Sequence, residues 1–357
     1  MKTKILIFTD AFSGGGAEEV MRRFSIELGK DFNVLHVSKW LGPKQIFLND
    51  NMISLDKRSS KECMPMLYKI AKGFKPDFIF SSTGHNNMIV LMLKFFLRKK
   101  PKIIIRESSV ASIMKNFSLK SKLIDFFLMK PLYKTADAII AQSTDILNDL
   151  IKVYDLPEEK ISIINNPITR DKLKDKNNLS SNEIKLLTIG RFSPEKGYDR
   201  LLQIVHKLPS NYTLKIMGDG ALVGEIKDTA KKLKIEDRID FLGFLLEEQK
   251  LQVMRESDVY VQTSYVEGFP NSLLQSVAIG LPVIAYDVPG GTREIVNDIN
   301  GCLVPDDEQE LMVQTIKKIN SNSYDPQKMQ IDTINRFGVS KIMTDLKQVF
   351  TDLDNEK

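Results

Sequence analysis

The sequence has little cysteine and little tryptophan, with two Cys and one Trp in 357 residues. Cys63 and Cys302 are too few and too isolated for a disulfide framework or a cysteine-based zinc site. A chain with so little cysteine is typical of a reducing compartment, so we expect a cytoplasmic location.

Long apolar runs are also missing. The hydrophobic segments are short and carry charges, so we expect no transmembrane helix. The first residues, MKTKILIFTDAF, run directly into a strand pattern without a cleavage site, which argues against a signal peptide. With 42% apolar and 27% charged residues, the composition is that of a globular protein, and the length allows two domains.

Acidic residues are scarce in one stretch of an otherwise mildly basic chain, whose net charge is +5. Between residues 88 and 134 the only acidic residues are Glu107 and Asp125, among many Lys and Arg. No nucleic-acid-binding signature accompanies this excess, so we predict no nucleic acid partner. Residues 110–134 combine apolar and basic positions like a helix at an anionic membrane surface. A helix packed on the core with solvated lysines is the alternative.

Short apolar runs alternate with helical patterns along most of the chain, which predicts α/β domains built on doubly wound parallel sheets. A polar stretch without periodicity, residues 171–183, indicates a linker. We therefore predict domains at 1–168 and 169–339 and a last helix at 340–357. The predicted strands are residues 4–8, 33–37, 52–55, 77–81, 102–106, 136–142 and 161–164, then 185–189, 213–217, 238–242, 258–263 and 282–286. Residues 307–310 have capping-box spacing and predict the start of a late helix.

A glycine-rich loop, DAFSGGG, separates the first strand from a helix that begins near Ala17. Such a loop allows the backbone to approach a ligand, although a simple tight turn is an equal alternative. The GxGxxG spacing is absent, which makes dinucleotide binding less favoured.

The segment from Thr263 to Glu294 has the most informative pattern. A buried strand is followed by Glu267 and the turn Gly268-Phe269-Pro270, and then by a helix that we expect Asn271 or Ser272 to cap. Glu267 should thus lie at the carboxyl end of a strand beside a helix N-terminus, a place that suits phosphate.

A second loop, GRFSPEKG at residues 190–197, follows the first strand of the second domain. Arg191 offers a planar fork of donors and Lys196 a point charge, which together suit a diphosphate. Ordinary surface charge is the alternative. No Asp-x-Asp dyad in a metal-ligand context stands out, so we predict that no metal is required.

These segments resemble the retaining glycosyltransferases of family 4, which have the GT-B fold, and the resemblance covers nearly the whole chain. The family pattern is a Glu, then Gly-Phe-Gly/Pro, and a second Glu eight positions after the first. Glu267 matches the first, but Gln275 stands at the second. Residues 15–18, Gly-Gly-Ala-Glu, match the family's glycine-rich loop.

The resemblance implies two Rossmann-like domains facing across a cleft, with the last helix crossing back to the first. The first domain would bind the acceptor and the second a nucleoside-diphosphate sugar, expected to be UDP-linked. The acceptor would be a membrane-associated saccharide of surface polysaccharide, lipopolysaccharide or glycolipid synthesis. The protein would work on the inner face of the cell membrane, bound through residues 88–134.

Site residues follow from the same resemblance. Glu267, Arg191 and Lys196 would be catalytic. The donor contacts would be Gly15, Gly16, Gly190, Gly268, Phe269, Pro270, Asn271, Ser272, Leu273 and Gln275. The candidates for contact with the acceptor or transferred sugar are His85, Asn86, Glu107 and Ser108, the last at about the place of a family His.

In the family the second Glu holds the ribose hydroxyls, a role in which Gln275 would be weaker because it lacks the charge. Two other functions remain open: a nucleotide-sugar 2-epimerase of the same fold, and a catalytically weak nucleotide-sugar-binding relative.

Overall fold

The computed structural model describes residues 2–13, 15–42, 50–114, 129–174, 183–319 and 323–355. The chain divides into two compact units. Unit 1 comprises residues 1–167 and 340–357, and unit 2 comprises residues 168–339. Most of the predicted membrane-surface helix, residues 115–128, lies outside the described residues.

Unit 1 is built on a parallel sheet whose described strands have the order β3-β2-β1-β4-β5-β6-β7. Its elements before the domain boundary are β1 Lys4–Ala11, α1 Gly16–Leu28, β2 Asn33–Trp40, β3 Met52–Ser54, α2 Ser60–Phe74, β4 Phe78–Ser82, α3 Gly84–Phe96, β5 Lys102–Glu107, α4 Ala111–Met114, α5 Lys130–Tyr133, β6 Ala138–Ala141, α6 Thr144–Tyr154 and β7 Ile161–Ile163. Ile5 to Phe8 are all fully buried, because both faces of a parallel sheet are covered by helices.

Unit 2 repeats this plan with the described strand order β10-β9-β8-β11-β12-β13. Its elements are β8 Ile184–Ile189, α7 Tyr198–Lys207, β9 Tyr212–Met217, α8 Val223–Lys232, β10 Ile239–Gly243, α9 Glu247–Glu256, β11 Val259–Gln262, α10 Asn271–Ala278, β12 Val283–Asp287, α11 Thr292–Ile295, β13 Gly301–Pro305, α12 Gln309–Lys318 and α13 Pro326–Phe337.

The last helix, α14 (Val339–Asn355), leaves unit 2 and packs in unit 1. Its residue Phe350 is 1% exposed, and its ring lies edge-on to Phe78 and Phe80, with centroids 5.3 and 6.0 Å away. The prediction of two doubly wound parallel α/β domains with a returning helix is therefore confirmed.

The structure departs from the sequence analysis at three places. First, the edge strand β13 was not predicted. Helix α10 begins at Asn271, so the residue that precedes it is Pro270, and no side chain caps this end. The capping box at 307–310 does not form. Glu310 instead pairs with Lys207 at 2.5 Å, so a tertiary ion pair replaces the local cap.

Within the described ranges, no helix has the length and apolar character that crossing a membrane requires.

Phe350→Ala should lower the free energy of unfolding by about 3–5 kcal/mol, because it removes a buried ring and leaves a cavity. Phe95→Ala is the matched control: its ring is 60% exposed, so the change should be within about 0.5 kcal/mol. Urea denaturation of both variants measures the difference. An equally small loss for both would contradict the assignment of α14 to the core of unit 1.

Candidate active site

The strand order of unit 2 reverses between β8 and β11, which are neighbours in the sheet. From β8 the chain continues outward to β9 and β10, then returns to β11 and continues to β12 on the other side. In open α/β sheets, ligands bind outside the carboxyl ends of the strands at such a switch point. The loops after β8 and β11 therefore define the candidate site.

These two loops are joined by an ion pair between Lys196 and Glu267. The Lys196 Nζ lies 2.7 Å from Oε1 and 2.9 Å from Oε2 of Glu267, and the Ser264 hydroxyl donates to Oε1 at 2.6 Å. The side chain of Glu267 is only 9% exposed and that of Lys196 is 22% exposed. An ammonium has three N–H donors, so at least one remains for a ligand.

Arg191 lies on the same loop but has a different environment. Its side chain is 78% exposed, and its guanidinium is 3.8 Å from the Glu195 carboxylate. At this distance and exposure the ion pair is weak. Arg191 therefore keeps its fork of donors available at the edge of the site.

Two glycines hold the loops together by allowing very close backbone contact. Gly218 has φ +149°, and a Cβ there would lie 1.9 Å from the carbonyl oxygen of Gly190. Gly290 has φ +121°, and its Cβ would lie 1.5 Å from the carbonyl oxygen of Glu267. Any side chain at either position would displace a site loop. The sequence around Gly290 does not reveal this role, because the role depends on contact with the carbonyl oxygen of Glu267.

Helix α10 begins four residues after Glu267. Because no side chain caps it, its first-turn N–H groups form the kind of positive helix end that binds phosphate. Of the predicted donor residues, Gly268, Phe269 and Pro270 precede this end, while Asn271, Ser272 and Leu273 form its first turn. Phe269 and Leu273 are buried and pack in the core of unit 2.

Two buried tyrosines line the base of the site. The Tyr198 hydroxyl donates to the carbonyl oxygen of Gly190 at 2.9 Å, and the Tyr260 hydroxyl donates to the carbonyl oxygen of Ile189 at 3.3 Å. Burial, and then the negative charge of Glu267, raises the pKa of both phenols. Both hydroxyls therefore stay protonated and act as fixed donors to the loop backbone.

Gln275, in α10, donates to the Glu247 carboxylate at 2.5 Å. Glu247 stands at the start of α9 and also pairs with Lys250 at 2.7 Å. The position of the family's second Glu thus holds an amide whose N–H is engaged by a neighbouring carboxylate. A glutamate here would place two carboxylates in contact.

The unit 1 candidates differ sharply in exposure. Asn86 is fully buried and donates to the Ser82 carbonyl at 3.2 Å and to Thr83 Oγ1 at 3.0 Å. Glu107 is 5% exposed and accepts from Asn87 Nδ2 at 2.9 Å and from the Tyr133 hydroxyl. Ser108 is partly buried.

The remaining unit 1 candidates are more accessible. His85 is 52% exposed and faces Asp10, a residue that the sequence analysis did not single out. Gly15 and Gly16 lie at the start of α1, where no side chain caps the helix.

Arg200 is a second residue that the sequence analysis missed. It is 7% exposed, and its guanidinium donates to the carbonyl oxygens of Thr263 (2.7 and 3.0 Å) and Ser264 (2.5 Å) and pairs with Asp306 at 2.6 Å. It also stacks on the Tyr265 ring, 3.8 Å from the centroid. Arg200 thus links helix α7 to the loop that leads to Glu267.

Arg200→Lys should speed amide hydrogen exchange in residues 263–267, because a lysine ammonium cannot make all the hydrogen bonds that the guanidinium donates to this loop. We expect a stability loss of about 1–3 kcal/mol, the cost of leaving buried carbonyls without donors. Arg238→Lys is the matched control, since Arg238, like Arg200, donates three hydrogen bonds to carbonyl oxygens of unit 2, in its case those of Val205, Leu208 and Tyr212. It should lose stability without changing exchange in residues 263–267. Equal amide exchange of residues 263–267 in both variants would contradict the inference that Arg200 holds the loop leading to Glu267.

Two protein families match the sequence of this chain. The family described as "Glycosyl transferases group 1" matches residues 169–336, and "Glycosyltransferase Family 4" matches residues 14–172.

Two curated relatives are similar to this chain in sequence. One is the N-acetylgalactosamine-N,N'-diacetylbacillosaminyl-diphospho-undecaprenol 4-alpha-N-acetylgalactosaminyltransferase of Campylobacter jejuni, 28% identical over 69% of this chain and 67% of the relative. The other is the amylovoran biosynthesis glycosyltransferase AmsD of Erwinia amylovora, 26% identical over 88% of this chain and 90% of the relative.

Among solved structures, Anabaena Alr3699/HepE in complex with UDP-glucose superposes with a TM-score of 0.78. The two chains are 21% identical, and the superposition covers 99% of each. This likeness concerns the fold. The two matched families, which together span residues 14–336, identify the chain as a member of glycosyltransferase family 4, and the superposition shows the GT-B fold.

Proposed function

We propose that this glycosyltransferase transfers a sugar from a UDP-linked donor to a membrane-associated saccharide, with retention of anomeric configuration and without a metal. The observation that carries the proposal is the partly buried Lys196–Glu267 pair beside the uncapped start of α10, at the switch point of unit 2. It combines a cation, a carboxylate and a helix N-terminus in one small site.

The cationic groups would hold the donor diphosphate. Lys196 keeps an N–H for one phosphate, and the exposed guanidinium of Arg191 can bind a second in a bidentate manner. The first turn of α10 adds backbone donors and a positive dipole end. Lys196 and the start of α10 are fixed before the donor binds, so they can stabilise the charge that develops on the leaving diphosphate, and Arg191 adds a positive charge at the edge of the site.

The transfer breaks the bond between the anomeric carbon and the diphosphate oxygen, and it forms a bond from that carbon to an acceptor oxygen. The acceptor hydroxyl proton passes to the departing phosphate, which is liberated as part of the nucleoside diphosphate. Glu267 would bind sugar hydroxyls and favour positive charge on the ring. A glycoside hydrolase would use two carboxylates that flank the bond, whereas Glu267 is accompanied here by a lysine.

The relatives support the substrate classes. The Campylobacter relative is named for a diphospho-undecaprenol acceptor, AmsD for a polysaccharide, and Alr3699/HepE was solved with UDP-glucose. These names support our proposal that the reaction serves surface polysaccharide or lipopolysaccharide synthesis at the inner face of the cell membrane. Incubation with a panel of UDP- and GDP-sugars, together with a saccharide acceptor, separates the alternatives. A transferase yields free diphosphate and product, an epimerase yields a new nucleotide sugar, and a weak relative only binds.

Lys196→Ala and Arg191→Ala should each lower kcat by about 100-fold or more, the scale of losing one preorganised donor. Steady-state release of the nucleoside diphosphate, with and without EDTA, measures this; EDTA should leave the rate unchanged. Lys207→Ala is the control, because Lys207 is a paired surface lysine on the same unit. Near-normal rates for Lys196→Ala and Arg191→Ala would contradict the diphosphate assignment.

The end of helix α3 supports binding to an anionic membrane. Phe95 and Phe96 are 60% and 66% exposed, and Arg98, Lys99 and Lys100 follow directly on the surface. Lys99 pairs with Asp77 at 2.7 Å. Exposed adjacent aromatic rings beside basic side chains combine the two contributions that hold a protein at an interface.

Binding to anionic vesicles should weaken when Phe95 and Phe96 are changed to Ser, and also when Arg98 and Lys100 are changed to Glu. Each basic residue near the surface contributes about 1 kcal/mol. Ile331→Ser, an exposed apolar residue of unit 2, and Lys317→Glu serve as controls. Co-sedimentation with phosphatidylglycerol vesicles and with neutral phosphatidylcholine vesicles measures the effect. Equal binding to both lipids, or no loss in the α3 variants, would exclude this surface.

A further inference from the structure

Unit 1 has its own switch point, between β1 and β4. Asp10 lies near the carboxyl end of β1, Lys39 near that of β2, and His85 in the first turn of α3, directly after β4. Strand carboxyl ends at a switch point are where ligands of open α/β sheets bind. These three side chains are therefore in the place where a ligand of unit 1 is expected.

The three residues form one charged cluster. Asp10 Oδ1 lies 2.5 Å from Lys39 Nζ and 3.3 Å from His85 Nε2. Exposure increases along the cluster: the Lys39 side chain is 4% exposed, that of Asp10 is 34% exposed and that of His85 is 52% exposed. A buried ammonium has to be paired, so Lys39 fixes Asp10, and Asp10 faces the histidine.

The charge state of Asp10 follows from these contacts. The hydrogen bond from His85, together with the bond and charge of Lys39, lowers the pKa of Asp10 to about 2 against the opposing effect of burial. Asp10 is therefore a carboxylate and acts only as an acceptor. Its histidine partner must donate through Nε2.

This contact selects one tautomer of His85. In the neutral ring, a proton on Nε2 leaves a lone pair on Nδ1. A carboxylate that orients an imidazole through one nitrogen, so that the other meets the substrate, is an arrangement that catalytic triads also use. The backbone at Thr83, just before α3, has φ +76°, an unfavourable conformation for a β-branched residue. Strain of this kind persists where the surrounding structure fixes a functional position.

We propose that the Nδ1 atom of His85 accepts a hydrogen bond from a hydroxyl of the acceptor saccharide, with Asp10 as the positioning residue that fixes the ring. The proposal rests on the proposed function, since it names where unit 1 holds the acceptor. A hydroxyl fits better than a phosphate. A lone pair on Nδ1 repels a phosphate oxygen, whereas a sugar hydroxyl offers the proton that Nδ1 accepts.

The chain offers a direct test because it contains only three histidines, His36, His85 and His206. Labelling the full-length protein with ring-¹⁵N histidine gives few signals, and His85→Gln assigns those of His85. At alkaline pH we expect His85 in the Nε2–H tautomer. The methyl glycosides of glucose, galactose, N-acetylglucosamine and N-acetylgalactosamine serve as probes. At least one should shift the Nδ1 signal of His85 saturably, while buried His36 and exposed His206 stay unchanged.

Asp10→Asn should remove the tautomer preference and weaken the saccharide response roughly tenfold, as expected for losing a charge-assisted contact. Asp10→Glu keeps the charge and should retain the preference, and melting curves verify that each variant is folded. If Asp10→Asn does not fold, the tautomer of His85 and the glycoside titrations of the wild-type protein still test the proposal.

The proposal is overturned by an Nδ1–H tautomer, by no saturable shift with any glycoside, or by a response to inorganic phosphate instead. Calorimetric titration of UDP and GDP into the same protein keeps the two proposals separate. Nucleotide binding with a silent His85 would reject the acceptor site and leave the donor site standing. Failure of both nucleotides to bind would reject the proposed function itself.

Discussion

The partly buried ion pair between Lys196 and Glu267 is the interaction on which the candidate site depends. Removing either partner would leave an uncompensated charge in a largely buried place, which is far more costly than losing a surface pair. The two residues lie 71 positions apart in the chain, and the pair forms only if the loops after β8 and β11 are both correctly placed. Gly290 and Arg200 hold the second of these loops.

The polar interior of unit 1 shows how burial separates structural from functional candidates. Arg106 is fully buried, which lowers its pKa to about 9, and it donates to Asn166. Its neighbour Glu107 accepts from Asn87 and Tyr133. This buried network below the carboxyl ends of β4 and β5 fixes that end of the sheet. In contrast to these buried residues, the His85 side chain is 52% exposed and is therefore accessible to a ligand.

Membership of the family determines the fold more firmly than it determines the substrates. Solved relatives near 20% identity superpose over nearly the whole chain, because a parallel sheet tolerates many different apolar residues in its core. Substrate choice depends on a few polar side chains, and at one such position this chain departs from the family. Gln275 there is engaged by Glu247, so the local charge pattern differs even though the backbone is shared.

The sequence by itself determined the two parallel sheets and the placement of Glu267 and Lys196 on loops that follow strands, because both depend on local periodicity and turn chemistry. The return of the last helix to the first unit was implied only by the family resemblance. The sequence did not predict β13, where Val304 is the one fully buried large side chain and the apolar run is correspondingly weak. It also predicted a capping box whose glutamate pairs instead with Lys207, 103 residues away. Only the tertiary structure decided which polar residues are buried and paired, because partners such as Asp10 and His85 are distant in sequence and meet only when the sheet has formed.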